Sequence, residues 1–137
     1  STFGGCTAGP AAAIENMRII EDEGLLENTR KMGERLGANL TALEERHAMI
    51  GDVRGKGLFW GVELVQDRDS RDPVPEAVAR AVVAATLNRG VMIGVTNRSL
   101  PGFNNTLCLS PALIATAADI DAITAAIDGA LTEVSAS

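Results

Sequence analysis

The hydrophobic periodicity of this 137-residue chain changes near residue 50, and this change constrains the fold most. From Leu25 onward, apolar positions recur every three or four residues through Leu43, which predicts a long amphipathic helix. From Ile50 to Val65 the apolar segments are short and interrupted by glycines, which predicts two strands around an Arg54-Gly55-Lys56-Gly57 turn. The sequence therefore predicts a domain that contains both helices and a sheet.

The flanking segments extend this pattern. An alanine-rich helix with Pro10 in its first turn precedes Gly24, and a second proline-led helix is predicted from Pro75 to Arg89. A buried strand is predicted over Val91-Met92-Ile93-Gly94-Val95, another strand over 106–109, and a last helix begins with a Thr116/Asp119 capping box. We expect an α+β fold with helices packed on one face of a small, mostly antiparallel sheet.

The composition excludes several classes of function. A net charge of -6 and a pI of 4.7 argue against nucleic-acid binding, which depends on clustered Lys and Arg. No apolar run approaches the length of a membrane span. Cys6 and Cys108 stand far apart without CxxC or Cys/His clustering, so we expect neither a metal site nor a disulfide. With no secretory signal at the start, a cytoplasmic protein is expected.

One further motif and four single residues are expected to have structural rather than functional roles. Arg54-Gly55-Lys56-Gly57 lacks the spacing and the terminal Lys-Ser/Thr of a phosphate-binding P-loop. His47, the only histidine, is expected to end the second helix, where a cation is favourable. Phe59 and Trp60 are expected to fill the core, and Glu63 is expected to have a structural place in the sheet.

Several local patterns, in one order, resemble the class-III aminotransferases, which are fold-type-I enzymes dependent on pyridoxal 5'-phosphate (PLP). They begin with Ser1-Thr2-Phe3-Gly4-Gly5 and the acidic helix end Glu21-Asp22-Glu23-Gly24-Leu25. They continue with Asp52-Val53-Arg54-Gly55-Lys56-Gly57-Leu58 and Gly61-Val62-Glu63-Leu64, and end with Leu109-Ser110-Pro111-Ala112-Leu113-Ile114 before Asp119-Ile120-Asp121. Together, in this order and spacing, these patterns cover nearly the whole chain.

The resemblance implies that Thr2, with Ser1 beside it, contacts the cofactor phosphate of the neighbouring subunit in a homodimer. A hydroxyl and free backbone N–H groups ahead of a helix form an anion site on physical grounds as well. Residues 1–24 would then be the phosphate-contacting turn and a helix linking to the large domain. Residues 25–137 would be the small C-terminal domain, and the chain would be a fragment that starts inside the phosphate-contacting motif.

The substrate-binding residue is expected to differ from that of many relatives. Many members place an arginine at the position of Cys108 to grip a substrate carboxylate as a bidentate pair, which a thiol cannot do. Members without it tend to use an arginine of the preceding loop, and Arg98 is the candidate here. The alternative is that Arg98 is a solvated loop charge. The segment 97–108 looks most like the branch that uses taurine, β-alanine or related ω-amino compounds with pyruvate.

Transamination needs a lysine, and the only lysines are Lys31 and Lys56, neither in the family's catalytic context. No catalytic residue is therefore expected in this chain, and the chain alone is expected to be inactive. The resemblance implies a parent enzyme that moves an amino group from an amine or ω-amino acid to a 2-oxo acid. A related aminomutase or decarboxylase, and a non-catalytic α+β binding or dimerisation module, remain the alternatives.

Overall fold

The computed structural model describes residues 2, 4–98 and 100–136. In these residues, the helices and strands follow in the order α1 Ala8–Asp22, α2 Leu25–Arg46, β1 Ile50–Lys56, β2 Phe59–Leu64, α3 Glu76–Asn88, β3 Gly94–Val95, β4 Thr106–Leu109 and α4 Ala117–Ser135. This α+β arrangement confirms the predicted fold class.

The strands form a single antiparallel sheet with the order β1-β2-β4-β3. Alternate side chains of the two central strands, Val62, Leu64, Leu107 and Leu109, are buried beneath the helices. The helices add Leu36, Leu40, Leu43, Val82, Ile120, Ile127 and Leu131 to the same core. Burial of these side chains is the main source of stability for the domain.

The turn between β1 and β2 lies later than the sequence predicted. Strand β1 continues through Lys56, which pairs with Phe59, so the turn consists of Gly57 and Leu58. Gly57 has a φ of 57°, a left-handed conformation that glycine adopts without strain. Gly55 has a different purpose, because a Cβ there would collide with the indole of Trp60. The prediction of a turn over residues 54–57 was therefore wrong.

Two predictions about buried residues were also wrong. Phe59 is 72% exposed, whereas Trp60, the next residue on β2, is partly buried and packs against the core. The segment 91–95 forms a strand only at Gly94–Val95, on the edge of the sheet. Met92 is 83% exposed there. An apolar run alone did not reveal that the strand has a single neighbour.

The helix ends agree with the sequence signals. Thr116 accepts a hydrogen bond from the backbone N–H of Asp119 and Asp119 accepts one from that of Thr116, which is the predicted capping box. The backbone N–H of His47 bonds to Leu43 at the end of α2, while the His47 ring lies 2.6 Å from Asp128. Arg68 donates to the carbonyl groups of Glu44, His47 and Ile50 and so satisfies this helix end.

Helix α1 contributes no buried residue and packs against α2. Its apolar side chains Ile14 and Met17 are 49% and 56% exposed. The small residues of this helix therefore leave a surface that the described part of the chain does not cover.

Candidate functional site

The turn before α1 is the first segment with the properties of a binding site. Thr2 is exposed, and among the described residues none forms a hydrogen bond with its hydroxyl. Gly5 has a φ of 90°, and a Cβ built on it would meet no atom within 4 Å. Ser1, the other predicted phosphate contact, lies outside the described residues, as does Phe3.

The start of α1 adds backbone donors to this turn. Thr7 occupies the N-cap position, but its side chain makes no capping hydrogen bond. The N–H groups of Ala8 and Gly9 have no partner within the helix, Pro10 has no N–H, and the helix dipole makes this end electropositive. An exposed hydroxyl, glycines without side chains and uncapped N–H groups fit an anionic group such as the phosphate of PLP.

The loop between β3 and β4 is the second segment. Its base is closed by hydrogen bonds from the backbone N–H of Thr96 to the carbonyl of Thr106 (2.9 Å) and from the N–H of Thr106 to the Thr96 hydroxyl (3.3 Å). Arg98 lies just beyond this base with its side chain exposed. Among residues 2, 4–98 and 100–136, none accepts a hydrogen bond from its guanidinium group, which is therefore available to an anionic ligand.

Asn104 fixes the backbone of Arg98, and sequence reasoning did not single it out. Its Oδ1 accepts a hydrogen bond of 2.6 Å from the N–H of Arg98, and its Nδ2 donates to the Arg98 carbonyl at 3.4 Å and to Glu76 Oε2 at 3.2 Å. The side chain is 5% exposed. The only signal in the sequence is a pair of asparagines directly before a strand, which says nothing about their partners.

Cys108 lies on β4 with glycines on both neighbouring strands, Gly61 on β2 and Gly94 on β3. It is half-buried, and its thiol lies 3.6 Å from the carbonyl of Thr106. A single weak donor cannot form the paired hydrogen bonds that a guanidinium forms with a carboxylate. Cys6 is exposed near the start of α1. Within the described residues, no group of three or more His, Cys, Asp and Glu side chains could hold a metal ion.

Both lysines are surface residues. Lys31 is 3.5 Å from Glu27 on the exposed face of α2, and Lys56 is exposed at the end of β1. A lysine that forms a covalent link to a carbonyl substrate or cofactor is usually desolvated, which lowers its pKa and makes the amine nucleophilic. Neither lysine has such surroundings.

The remaining charged clusters are structural. Arg54 contacts Asp52 and Glu63 on adjacent strands, which gives Glu63 the structural role expected from the sequence. The ring of His47 and then Arg46 lower the pKa of Asp128, which joins the end of α2 to α4. Arg46 and Asp128 also line a shallow pocket of about 270 Å³ together with Asn39, Asp121 and Thr124.

A cavity of about 830 Å³ forms an open groove between α2 and the β1–β2 hairpin. Leu26, Leu58, Phe59, Trp60, Pro111 and Leu113 give it a largely apolar lining. Gly33 and Gly37 form its floor on α2, where a Cβ would collide with Gly57 or with the Trp60 ring. Thr29, Arg30, Glu34, Lys56 and Ser110 also line the groove, but most of its surface is apolar.

Known proteins resemble this chain over nearly its whole length. The family model for class-III aminotransferases matches residues 1–131. The hypotaurine/taurine–pyruvate aminotransferase of Paracoccus denitrificans is 73% identical over 134 residues, which are 98% of this chain and 29% of that protein. The taurine–pyruvate aminotransferase of Rhodobacter capsulatus is 66% identical over 136 residues, or 99% of this chain and 30% of that protein.

Solved structures give the same result. An aminotransferase from Bacillus anthracis superposes with a TM-score of 0.92 at 35% identity, covering 97% of this chain and 30% of that one. A PLP-bound amine transaminase from an uncultivated Pseudomonas species gives a TM-score of 0.80 at 31% identity, covering 90% of this chain and 27% of that one. The chain belongs to the class-III aminotransferase family, and it spans about 30% of the length of these relatives.

No helix within the described residues is long and apolar enough to cross a membrane.

Proposed function

We propose that the parent protein transfers an amino group from an amine or ω-amino acid to a 2-oxo acid, with taurine or hypotaurine as donor and pyruvate as acceptor. The observation that supports it most is the 73% identity, over 98% of this chain, to a hypotaurine/taurine–pyruvate aminotransferase. The matched span includes the Arg98 loop and the strand that carries Cys108. The reaction preserves an anionic group on both donor and acceptor, sulfonate or sulfinate on one and carboxylate on the other.

The cofactor of this reaction is PLP, which when bound carries the amino group between donor and acceptor and delocalises charge at the reacting carbon. Thr2 would bind its phosphate through the hydroxyl, together with N–H groups at the start of α1. Ser1 is proposed from the sequence alone. Residues 1–24 would link the large domain to the small domain of residues 25–137. The functional unit would be a cytoplasmic homodimer whose active sites are shared between subunits.

Arg98 would bind the acid group of the substrate. Its guanidinium is exposed and, within the described residues, unpaired, while its backbone is held in place, so the side chain can reach an anion without the whole loop having to order. A guanidinium pairs with carboxylate and with sulfonate oxygens through two parallel hydrogen bonds. Cys108 leaves the corresponding position on β4 without such a group.

The test of the reaction is alanine formation by the full-length parent enzyme with PLP, taurine and pyruvate. We expect alanine to appear in equal amount to the taurine consumed, and no alanine with the 137-residue chain. If the full-length enzyme rearranges or decarboxylates an amino acid and makes no alanine, the aminomutase or decarboxylase alternative replaces this proposal.

The test of Arg98 uses two amino acceptors of similar size, pyruvate and the uncharged aldehyde propanal. Arg98→Ala in the full-length enzyme should lower kcat/KM for pyruvate about 10- to 100-fold, since a hydrogen-bonded charge pair contributes about 1.5–3 kcal/mol. Propanal should change little because it has no carboxylate. Equal losses for both acceptors would show that Arg98 does not bind the carboxylate and is a solvated loop charge.

A further inference from the structure

Asn104 combines three properties that a loop asparagine rarely has. It is 5% exposed, it bonds to both the N–H and the carbonyl of one residue, and it donates to a carboxylate on a distant helix. The carboxylate of Glu76 can only accept, so the amide nitrogen must face it and the amide oxygen must face the N–H of Arg98. The orientation of the amide is thereby fixed.

Glu76 is itself held in place. Arg80, one turn further along α3, donates two hydrogen bonds to Glu76 Oε1, at 2.8 and 2.5 Å. The other oxygen, Oε2, is left for Asn104. Arg80 and then Asn104 lower the pKa of Glu76, so the acceptor is ionised at neutral pH. A hydrogen-bonded chain therefore runs from Arg80 through Glu76 and Asn104 to the Arg98 backbone.

We propose that Asn104 is the positioning residue for Arg98. By fixing the backbone from which the Arg98 side chain extends, it sets the preference of the enzyme for substrates with an acid group. This inference rests on the proposed role of Arg98. Two bonds to one backbone unit fix its position and orientation at the base of the loop. The rest of the Arg98 side chain is free to follow an anion that enters or leaves.

The two hydrogen bonds from Asn104 hold the backbone of Arg98, whose guanidinium must be positioned accurately to bind a carboxylate. A guanidinium pairs with a carboxylate in a planar, two-bond geometry, so a displacement of about 1 Å weakens both bonds together. Without Asn104, the nearest hydrogen bonds between the Arg98 segment and the sheet, among the described residues, would be those of Thr96 with Thr106. We therefore expect loss of Asn104 to reduce recognition of the acid group while leaving the chemistry of an uncharged acceptor nearly unchanged.

The experiment measures an acceptor ratio in the full-length parent enzyme: kcat/KM for pyruvate divided by kcat/KM for propanal. In a ping-pong enzyme the kcat/KM of the acceptor does not depend on the donor, so any active donor serves. Asn104→Ala should lower this ratio about tenfold, mainly through the KM for pyruvate. Arg98→Ala should lower it at least as much. The double variant should match Arg98→Ala within about twofold, because Asn104 acts through Arg98.

Asn105→Ala is the matched control. Asn105 is also buried, and its Nδ2 donates to the Leu64 carbonyl at 2.7 Å, but it does not contact Arg98. Its loss should lower the melting temperature and leave the acceptor ratio unchanged. If Asn104→Ala does not fold, Asn104→Asp retains the side-chain volume and the acceptor while removing the donor. The Asp variant should lower the ratio in the same direction, about threefold.

The possible failures are distinguishable. If Arg98→Ala leaves the acceptor ratio unchanged, the proposed role of Arg98 is wrong and the inference fails with it. If Arg98→Ala lowers the ratio and the Asn104 variants do not, only the positioning role is wrong. Equal losses for pyruvate and propanal in Asn104→Ala, or a further drop in the Arg98→Ala background, would also overturn it, since the effect would not pass through Arg98.

Discussion

At the scale of single residues, exposure separates side chains that the sequence treats alike. Phe59 and Leu107 are both large apolar residues on central strands, and Phe59 was expected to fill the core. Phe59 is 72% exposed and lines the groove, whereas Leu107 is fully buried between β2 and β3. The alternation of a strand decides which face a residue occupies, and a one-residue difference in register reverses that assignment.

This difference predicts opposite results for two alanine substitutions. Leu107→Ala should lower the free energy of unfolding of the 137-residue chain by about 2–5 kcal/mol, because it leaves a cavity in a packed core. Phe59→Ala should change it by no more than about 0.5 kcal/mol. Urea unfolding followed by circular dichroism measures both. A loss above about 2 kcal/mol for Phe59→Ala would contradict the exposed placement.

The site residues show what sequence can and cannot reveal at this scale. Thr2 and Arg98 were proposed because residue type and local order matched a family motif, and the structure leaves both exposed. Asn104 was not singled out, because its partner Glu76 lies 28 positions away along the chain. Pairing of a loop amide with a helix carboxylate is a property of the folded chain, and no local spacing rule predicts it.

At the scale of elements, the helices were predicted better than the strands. Helical periodicity and caps located α2 and α4, since each has an apolar stripe longer than four turns and a clear start or stop signal. The β1–β2 turn was misplaced because Gly55 and Gly57 look equivalent in sequence. Only Gly57 supplies a positive φ, and Gly55 is required by Trp60.

The capping box of α4 gives a prediction for a whole element. Thr116→Ala removes the acceptor for the Asp119 N–H and should lower the free energy of unfolding by about 1 kcal/mol. Thr132→Ala, on the same helix, removes an exposed hydroxyl that bonds only to the Asp128 carbonyl, and it should have an effect below about 0.5 kcal/mol. Urea unfolding of the two variants side by side provides the measurement. Equal losses would mean that the cap does not stabilise α4.

At the scale of the whole molecule, carboxylates dominate the response to pH. Arg30 lowers the pKa of Glu27 to about 2, and hydrogen-bonded partners also lower the pKa values of Asp67, Glu76, Asp119, Asp121 and Asp128. A carboxyl group with a lower pKa in the folded state stabilises that state above its unfolded pKa, and the stabilisation disappears as the pH falls toward the folded value.

The melting temperature of the chain should therefore be nearly constant from pH 8 to pH 6 and fall as the pH drops from about 5 toward 2. Differential scanning fluorimetry at constant ionic strength measures it. High salt should reduce the dependence, because most of these groups are exposed and their interactions are screened. A melting temperature that rises on acidification below pH 5 would contradict the lowered pKa values.

The short edge strand β3 has a consequence for how such a protein diversifies. Among the described residues, Gly94 and Val95 are the two that pair with β4 as strand β3, and hydrogen bonds tie the loop that follows to the fold at Thr96, Asn104 and Asn105. Residues 97, 98 and 100–103 between these ties are exposed, so substitutions there remove no buried core side chain. Under the proposed role of Arg98, substrate preference can thus change at these positions at little cost in folding stability, and a two-residue edge also offers little backbone to which another chain could add a strand.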